Sequence, residues 1–138
     1  MKIILASVLA ALLAGGCASM GQRDRGERLL ASYEPYLGEP IQSFTALQHD
    51  SWLALNRTQL VLWTTINDAY LLTITNNCPE LPFADYVGVT STTSQITTFD
   101  SVIVRGNRCP IEQIRPIDVR QMRKDRFADD ADDSSRAT

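Results

Sequence analysis

The sequence has almost no histidine, and this shortage excludes several kinds of catalytic site. His49 is the only histidine, so a zinc site built from two or three histidines is impossible within one copy of the chain. The P-loop, the dinucleotide-binding glycine fingerprint, His-Glu-x-x-His, Gly-x-Ser-x-Gly and paired Cys-x-x-Cys motifs are all missing from the sequence. Most routes to general acid–base or covalent catalysis therefore lack their residues, and we expect no cofactor and no metal.

Long apolar runs are also missing, apart from one near the N-terminus. Residues Ile3 to Ala14 are apolar at every position except Ser7, and they follow the positive charge of Lys2. A helix of this run is roughly 18 Å long, well short of the roughly 30 Å hydrocarbon core of a bilayer. The run therefore predicts a removable export signal rather than a membrane-spanning helix.

Small residues close this segment in the order Leu13-Ala14-Gly15-Gly16-Cys17. The order resembles the lipobox of bacterial lipoprotein precursors, where cleavage precedes a cysteine that has received a diacylglyceryl thioether. We predict a lipoprotein signal peptide over residues 1–16, lipidation of Cys17 with fatty acids such as palmitate, and a tether over residues 17–23. The alternative is ordinary secretion with cleavage nearby, for example after Ala18.

The residues after Cys17 bear on the predicted location. Ala18-Ser19 contains no aspartate, the residue that would resemble an inner-membrane retention signal at this place. By that analogy, in a Gram-negative host, we expect an outer-membrane lipoprotein of the cell envelope that faces the periplasm. The alternative is a soluble periplasmic protein. The expected partners are the membrane, through the N-terminal lipid, and an unknown envelope protein or envelope component.

Basic residues are outnumbered by acidic ones. Among 138 residues there are 13 lysines and arginines against 16 aspartates and glutamates. Loss of Lys2 with the signal leaves twelve basic and sixteen acidic residues, a net charge of −4. This charge gives no general attraction to nucleic acid. The remaining length suits one domain and is too short for two comfortable cores.

Three cysteines are present, an odd number for an exported chain. If Cys17 is acylated, Cys78 and Cys109 remain as the only possible intrachain pair, and the bacterial periplasm favours their oxidation. We therefore predict a disulfide between Cys78 and Cys109. The alternative is two buried free thiols.

The hydrophobic pattern predicts a mainly β (α+β) domain over residues 24–125. A helix is predicted over Asp24–Tyr36, from apolar residues at three- and four-residue spacing, and a short closing helix over Ile117–Lys124. About six or seven short strands lie between them, which indicates a small antiparallel barrel or rolled sheet. Residues 126–138 carry four aspartates among small polar residues and are predicted to be an acidic disordered tail.

Two strand predictions are more specific. Gln59–Thr65 is apolar on both faces and predicts a central strand. Gly106-Asn107 predicts a two-residue turn that joins strands Val102–Arg105 and Arg108–Ile114 as a hairpin. Pro110 lies early in the returning strand and indicates an edge position.

Several short motifs occur in a fairly specific order over roughly residues 25 to 120. They are Gly38-x-Pro40-Ile41-x-x-Phe44, Trp52-x-x-Leu55, Leu62-Trp63-Thr64, Ala69-Tyr70-Leu71-Leu72, Cys78-Pro79-x-Leu81, Thr90-Ser91, Phe99-Asp100-Ser101-Val102 and Cys109-x-Ile111-x-x-Ile114-Arg115-Pro116-x-Asp118. Together they resemble an uncharacterised proteobacterial lipoprotein family, domain of unknown function 6491. The resemblance implies an exported, usually lipidated protein with Cys78 and Cys109 paired. It implies no reaction.

Arg105 and Arg108 flank the predicted turn, and we expect their side chains to face each other across the hairpin. Like charges directly opposite repel, and an anionic partner such as a carboxylate or lipid phosphate would relieve that repulsion. These two arginines are therefore the candidate anion contact. The alternative is that both side chains extend separately into water.

The acidic residues and the histidine are the candidates for catalysis. Asp68, Asp85, Asp100 and Glu112 could supply paired carboxylates for glycan chemistry, but Asp68 and Asp100 also suit turns. The His49-Asp50 pair is typical of a polar turn. We assign no catalytic residue.

Two classes of function remain. One is a non-catalytic envelope module that binds a protein or an envelope component. The other is a small periplasmic hydrolase that uses carboxylate or hydroxyl residues. A deep pocket gathering Asp68, Asp100 or His49 would favour the hydrolase, whereas an exposed apolar patch would favour the binding module.

Overall fold

A computed structural model of the chain describes residues 17–75 and 78–136. The predicted signal over residues 1–16 lies outside the described residues. Helix α1 (Cys17–Tyr33) continues into a 3-10 turn (Glu34–Tyr36), and helix α2 (Val119–Arg136) follows the last strand. The strands are β1 (Ser43–Thr45), β2 (Ser51–Ala54), β3 (Gln59–Trp63), β4 (Ala69–Ile74), β5 (Val87–Val89), β6 (Gln95–Thr97), β7 (Ser101–Val104) and β8 (Asn107–Ile117).

Six of these strands form one antiparallel sheet in the order β2-β3-β4-β8-β7-β5, while β1 and β6 pair separately. The sheet curls into a nearly closed barrel, with β2 and β5 at its two edges. The prediction of a mainly β fold, a small barrel or rolled sheet with a helix near each end, is therefore confirmed.

The sheet is buried on both faces where the helices cover it. Leu60 and Leu62 of β3 point into the barrel, and Val61 points outward against the helices. Tyr33 of α1 and Met122 of α2 complete this outer core. The prediction that Gln59–Thr65 contains a central strand is confirmed, because β3 lies between β2 and β4.

The edge position predicted from Pro110 is wrong. Strand β8 lies inside the sheet, with β4 on one side and β7 on the other. Pro110 pairs with Ser101 of β7, and its carbonyl accepts a hydrogen bond from the amide of Thr75 at 2.9 Å. The pairing of β4 with β8 shifts register between Thr73 and Ile74, next to Pro110. Proline is tolerated at such an irregularity, because a ladder hydrogen bond is already missing there.

Helix α1 is longer than predicted at its N-terminal end. Residues 17–23, predicted as a tether, form its first turns. Once the later turns dock on the sheet, each added residue costs little and gains a hydrogen bond. The helix crosses the sheet closely at Gly26, where a Cβ atom would overlap the carbonyl oxygen of Leu55.

Helix α2 is also longer than the predicted closing helix. It continues through the acidic segment to Arg136, where the sequence predicted a disordered tail from residue 126. The Asp118 carboxylate caps its start by accepting a hydrogen bond from the amide of Gln121 at 2.9 Å. Asp132 and Arg136 form an ion pair at 2.9 Å one turn apart in the last part of the helix. Docking of Val119 and Met122 supplies the nucleus from which the exposed turns extend.

Candidate functional site

The loop after β4 and the β7–β8 hairpin are joined covalently. Cys78 and Cys109 form a disulfide with an S–S distance of 2.05 Å and a Cα–Cα distance of 6.0 Å. Both residues are buried in the core of the barrel. The predicted disulfide is confirmed, and the alternative of two free thiols is wrong. The bond fixes the loop Cys78–Tyr86 against the hairpin.

The turn of this hairpin lies one residue earlier than predicted. Val104 pairs with Asn107, so the two turn residues are Arg105 and Gly106. Both have positive φ, 49° and 84°, which is the conformation of a type I′ turn. The pairing places Val102, Val104 and Cys109 on the inward face. The predicted turn would set Val104 opposite Cys109 and keep the same residues inward, so burial alone does not select the register. The turn selects it, because glycine suits the second position of a type I′ turn, where φ is 84°.

This shift changes the environment of the two candidate arginines. Arg108 pairs with Ile103 across the hairpin, and Arg105 occupies the turn, so the two side chains are not directly opposite each other. Their expected face-to-face arrangement is wrong. Arg105 donates a hydrogen bond from Nη2 to the carbonyl oxygen of Phe83 at 2.8 Å and lies 3.6 Å from the carboxylate of Asp85.

Arg108 lies on the other side of the hairpin tip, beside a shallow cavity. The cavity has a volume of about 280 Å³ and is lined by Thr75, Cys78, Pro79, Glu80, Asn107, Arg108, Cys109 and Pro110. Asn107 donates a hydrogen bond to the carboxylate of Glu80 at 3.3 Å across its mouth. Within residues 17–75 and 78–136, no carboxylate lies within 4.0 Å of the Arg108 guanidinium.

Two aromatic side chains project from the loop Cys78–Tyr86. Phe83 is 55 % exposed and Tyr86 is 68 % exposed. The ring of Tyr86 lies near the ring of His49, with 6.1 Å between centroids. Sequence reasoning missed both aromatic residues as candidates. The available signal was their position in a short loop that holds Pro79 and Pro82, outside any strand pattern.

We call the exposed side chains of this region the loop–hairpin surface, and it consists of Phe83, Asp85, Tyr86, Arg105 and Arg108. It combines aromatic rings with arginines, the residue types enriched at binding interfaces. The disulfide, the turn and the Arg105 hydrogen bond hold its backbone in place before any partner arrives.

Two of the acidic candidates for catalysis, Asp68 and Asp100, are engaged in turns. Asp68 accepts a hydrogen bond from Thr65 in the β3–β4 turn at 2.7 Å. Asp100 accepts bonds from the amide and hydroxyl of Thr97 at 2.8 and 3.0 Å, and from Thr90 at 3.2 Å. Each carboxylate therefore stabilises its own loop. Glu112 is exposed on β8. In the part of the chain that the structure describes, no group of three or more metal-ligating side chains comes together.

A second cleft lies between α2 and the other end of the β2–β3 hairpin. Its volume is about 320 Å³, and Tyr33, Trp63, Arg123 and Arg126 contribute to its lining. Burial raises the pKa of Tyr33, and contact with Arg126 partly offsets this increase. Arg123 donates a hydrogen bond to the carbonyl oxygen of Ile66 at 2.8 Å. The cations of this cleft therefore hold α2 on the sheet.

The fold and this surface define a small, mainly β domain closed by one disulfide, with an aromatic and cationic surface beside that disulfide. Residues 1–132 match the Family of unknown function (DUF6491), so the chain belongs to this family. No curated protein and no solved structure matches the chain. Across the described residues, no helix combines the length and apolar character needed to span a membrane.

Proposed function

We propose that this chain is a non-catalytic binding module of the cell envelope, held to the outer membrane by a lipid on Cys17 and facing the periplasm. The observation that carries the binding role is the pair of exposed aromatic rings, Phe83 and Tyr86, on a loop that a disulfide fixes. Exposed rings on a fixed backbone suit association, since less chain entropy is lost when a partner binds.

The geometry of Arg105 supports the same role. Its bond to the Phe83 carbonyl orients the loop on which the aromatic rings are displayed. Arg105 makes this contact from the first position of the turn, where both Arg105 and Gly106 have positive φ. Arg108 then supplies a cation that no described carboxylate neutralises within 4.0 Å.

The order of residues 13–17, which resembles a lipobox, supports the anchor. A diacylglyceryl group with a further acyl chain binds a bilayer far more strongly than the marginal hold of one myristoyl chain. Lipidation would therefore keep the domain at the membrane surface.

Site-specific photo-crosslinking in cells tests the binding role. A photoreactive phenylalanine analogue replaces Phe83 or Tyr86 in the full chain, and the adducts are identified by mass. We expect a defined envelope component to be crosslinked from both positions.

Phe99 provides the matched control, because it is 95 % exposed and lies at the opposite end of β7 from Arg105. The analogue at position 99 should give no such adduct. Equal labelling from all three positions, or no adduct from positions 83 and 86, contradicts a binding role for the loop–hairpin surface.

A further inference from the structure

Helix α1 gives the domain a defined end from which the predicted anchor projects. Tyr33 packs near Trp63, with 6.3 Å between ring centroids, at one end of the β2–β3 hairpin. Gly26 packs on Leu55 at the other end. The residues before Gly26 therefore extend past the β2–β3 turn, by roughly 13 Å at 1.5 Å per residue. Among the described residues, Cys17 lies furthest along this projection.

The loop–hairpin surface belongs to the same end of the barrel. The amide of Cys78 donates a hydrogen bond to the carbonyl of Arg57, in the β2–β3 turn, at 2.8 Å. The disulfide then connects Cys78 to the hairpin that carries Arg105 and Arg108. We call this region the anchor end, and it comprises residues 17–28 of α1, the β2–β3 turn (residues 56–58), the loop Cys78–Tyr86 and the hairpin tip (residues 105–108).

The anchor end is the positively charged part of a negatively charged chain. Its six basic residues are Arg23, Arg25, Arg28, Arg57, Arg105 and Arg108, and its four acidic residues are Asp24, Glu27, Glu80 and Asp85, a net charge of +2. The rest of the chain from residue 17 onward has six basic and twelve acidic residues, a net charge of −6.

Helix α2, which carries the acidic segment, starts at the end of the sheet opposite to the anchor end. Helix α2 starts next to Ile117, which pairs with Ala69 at the end of the sheet away from the β2–β3 turn. Four aspartates, Asp129, Asp130, Asp132 and Asp133, occupy its last exposed turns. An anionic plane would therefore attract the anchor end and repel the far end of α2.

We infer that the anchor end docks directly on anionic phospholipid head groups of the membrane that holds the lipid of Cys17. This inference rests on the proposed anchoring and names the component that the loop–hairpin surface contacts. Arg57 and Arg108 are exposed, and among the described residues neither has a carboxylate within 4.0 Å, so both can bind lipid phosphates. Phe83 is exposed on the loop of the same end, and an aromatic ring is favourable at a bilayer interface.

Vesicle sedimentation of an unlipidated chain tests the docking without the anchor. Every buried residue that the structure describes lies between Gly26 and Met122, so a chain from residue 17 onward with Cys17→Ser keeps the whole core. We expect it to bind vesicles of phosphatidylcholine mixed with phosphatidylglycerol, to bind phosphatidylcholine vesicles much more weakly, and to be released by added salt.

Charge-removal variants locate the contact. Each arginine near an anionic bilayer strengthens binding by about fivefold, so R57Q with R108Q should weaken partitioning by roughly twenty-five-fold. The matched control is R120Q with K124Q, which removes the same charge from exposed positions on α2 and should leave binding unchanged. Thermal unfolding checks that both variants remain folded.

Three results would overturn the docking. The first is equal affinity for the two kinds of vesicle, and the second is an equal loss of vesicle binding in the control variant. The third is a photo-crosslink from position 83 to a protein, in a chain that does not bind anionic vesicles. The anchor is judged separately by the mass of the N-terminal peptide. An unmodified Cys17 with intact vesicle binding contradicts the anchoring and supports the docking.

Discussion

The guanidinium of Arg105 donates a hydrogen bond to the carbonyl oxygen of Phe83 at 2.8 Å, across 22 positions of sequence. The same group lies 3.6 Å from Asp85. Among the residues that the structure describes, the Arg108 guanidinium has neither a hydrogen bond to a backbone carbonyl nor an ion pair with a carboxylate. Two arginines that sequence treats as one pair therefore differ in role. Arg105 stabilises the loop, and Arg108 is available to a ligand.

Replacement of each arginine should separate these roles. Arg105→Ala removes an exposed charged hydrogen bond and should lower the free energy of unfolding by about 0.5–1 kcal/mol. Arg108→Ala should change it by less than about 0.5 kcal/mol. Urea unfolding of the two variants measures this difference. Equal losses would show that Arg105 does not hold the loop.

Loss of the disulfide should destabilise the domain. Cys78 and Cys109 are 31 positions apart, and the entropy of closing such a loop predicts a loss of about 3–4 kcal/mol for the Cys78→Ser/Cys109→Ser variant. Thermal unfolding of the non-reduced proteins measures the loss. Thiol labelling of unfolded, non-reduced wild-type protein should find neither cysteine reactive, and full labelling of both would contradict the bond.

Two glycines of α1 form a matched pair for testing how the helix docks. Gly26→Ala should cost about 1–3 kcal/mol, because the new methyl group overlaps the carbonyl oxygen of Leu55. Gly21 has no atom within 4 Å of its Cβ position, so Gly21→Ala should stabilise the helix by up to about 1 kcal/mol. Denaturant midpoints compare the two variants. A neutral Gly26→Ala would mean that α1 does not cross the sheet at Leu55.

Stability should fall in alkaline solution. A hydrogen bond to Asp125 raises the pKa of Tyr36, and burial raises the pKa of Tyr33 and Tyr70. The fold thus favours the neutral phenols, and their contribution is complete below the ordinary pKa of 10.0 and lost as the pH rises through the higher folded values.

Tyr36→Phe isolates one part of this effect. The variant should lose less stability than the wild-type protein between about pH 8 and about pH 11, because residue 36 no longer ionises beside Asp125. Urea midpoints at the two pH values give the comparison. An identical alkaline loss in both proteins would show that the Tyr36–Asp125 hydrogen bond has no role in it.

Sequence patterns predicted those parts of the fold that local chemistry determines. The apolar residues on both faces of Gln59–Thr65 indicated a central strand, and cysteine parity with export indicated the disulfide. The prediction from Pro110 was wrong, because a proline excludes an interior strand only where the hydrogen-bond ladder is regular. The irregularity beside Pro110 depends on the partner strand β4. No pattern in β8 alone contains that information.

In the candidate site too, sequence patterns predicted the features that depend on local chemistry but not those that depend on the tertiary fold. Gly106 marked the hairpin correctly, but it occupies the second turn position rather than the first, and this one-residue shift separated Arg105 from Arg108. The loop–hairpin surface could not be predicted, since Phe83 and Arg105 meet only through the tertiary fold. The long α2 helix was missed because its exposed acidic turns continue from a docked segment and have little helical tendency of their own.

The membrane anchor is the central claim of this account, and the mass of the mature N-terminal peptide tests it most directly. Protein purified from its own cells is digested, and the N-terminal fragment is analysed by mass spectrometry. We predict a chain that begins at Cys17 and carries a diacylglyceryl thioether with a further acyl chain. An unmodified chain that begins after Ala18 would contradict the anchor.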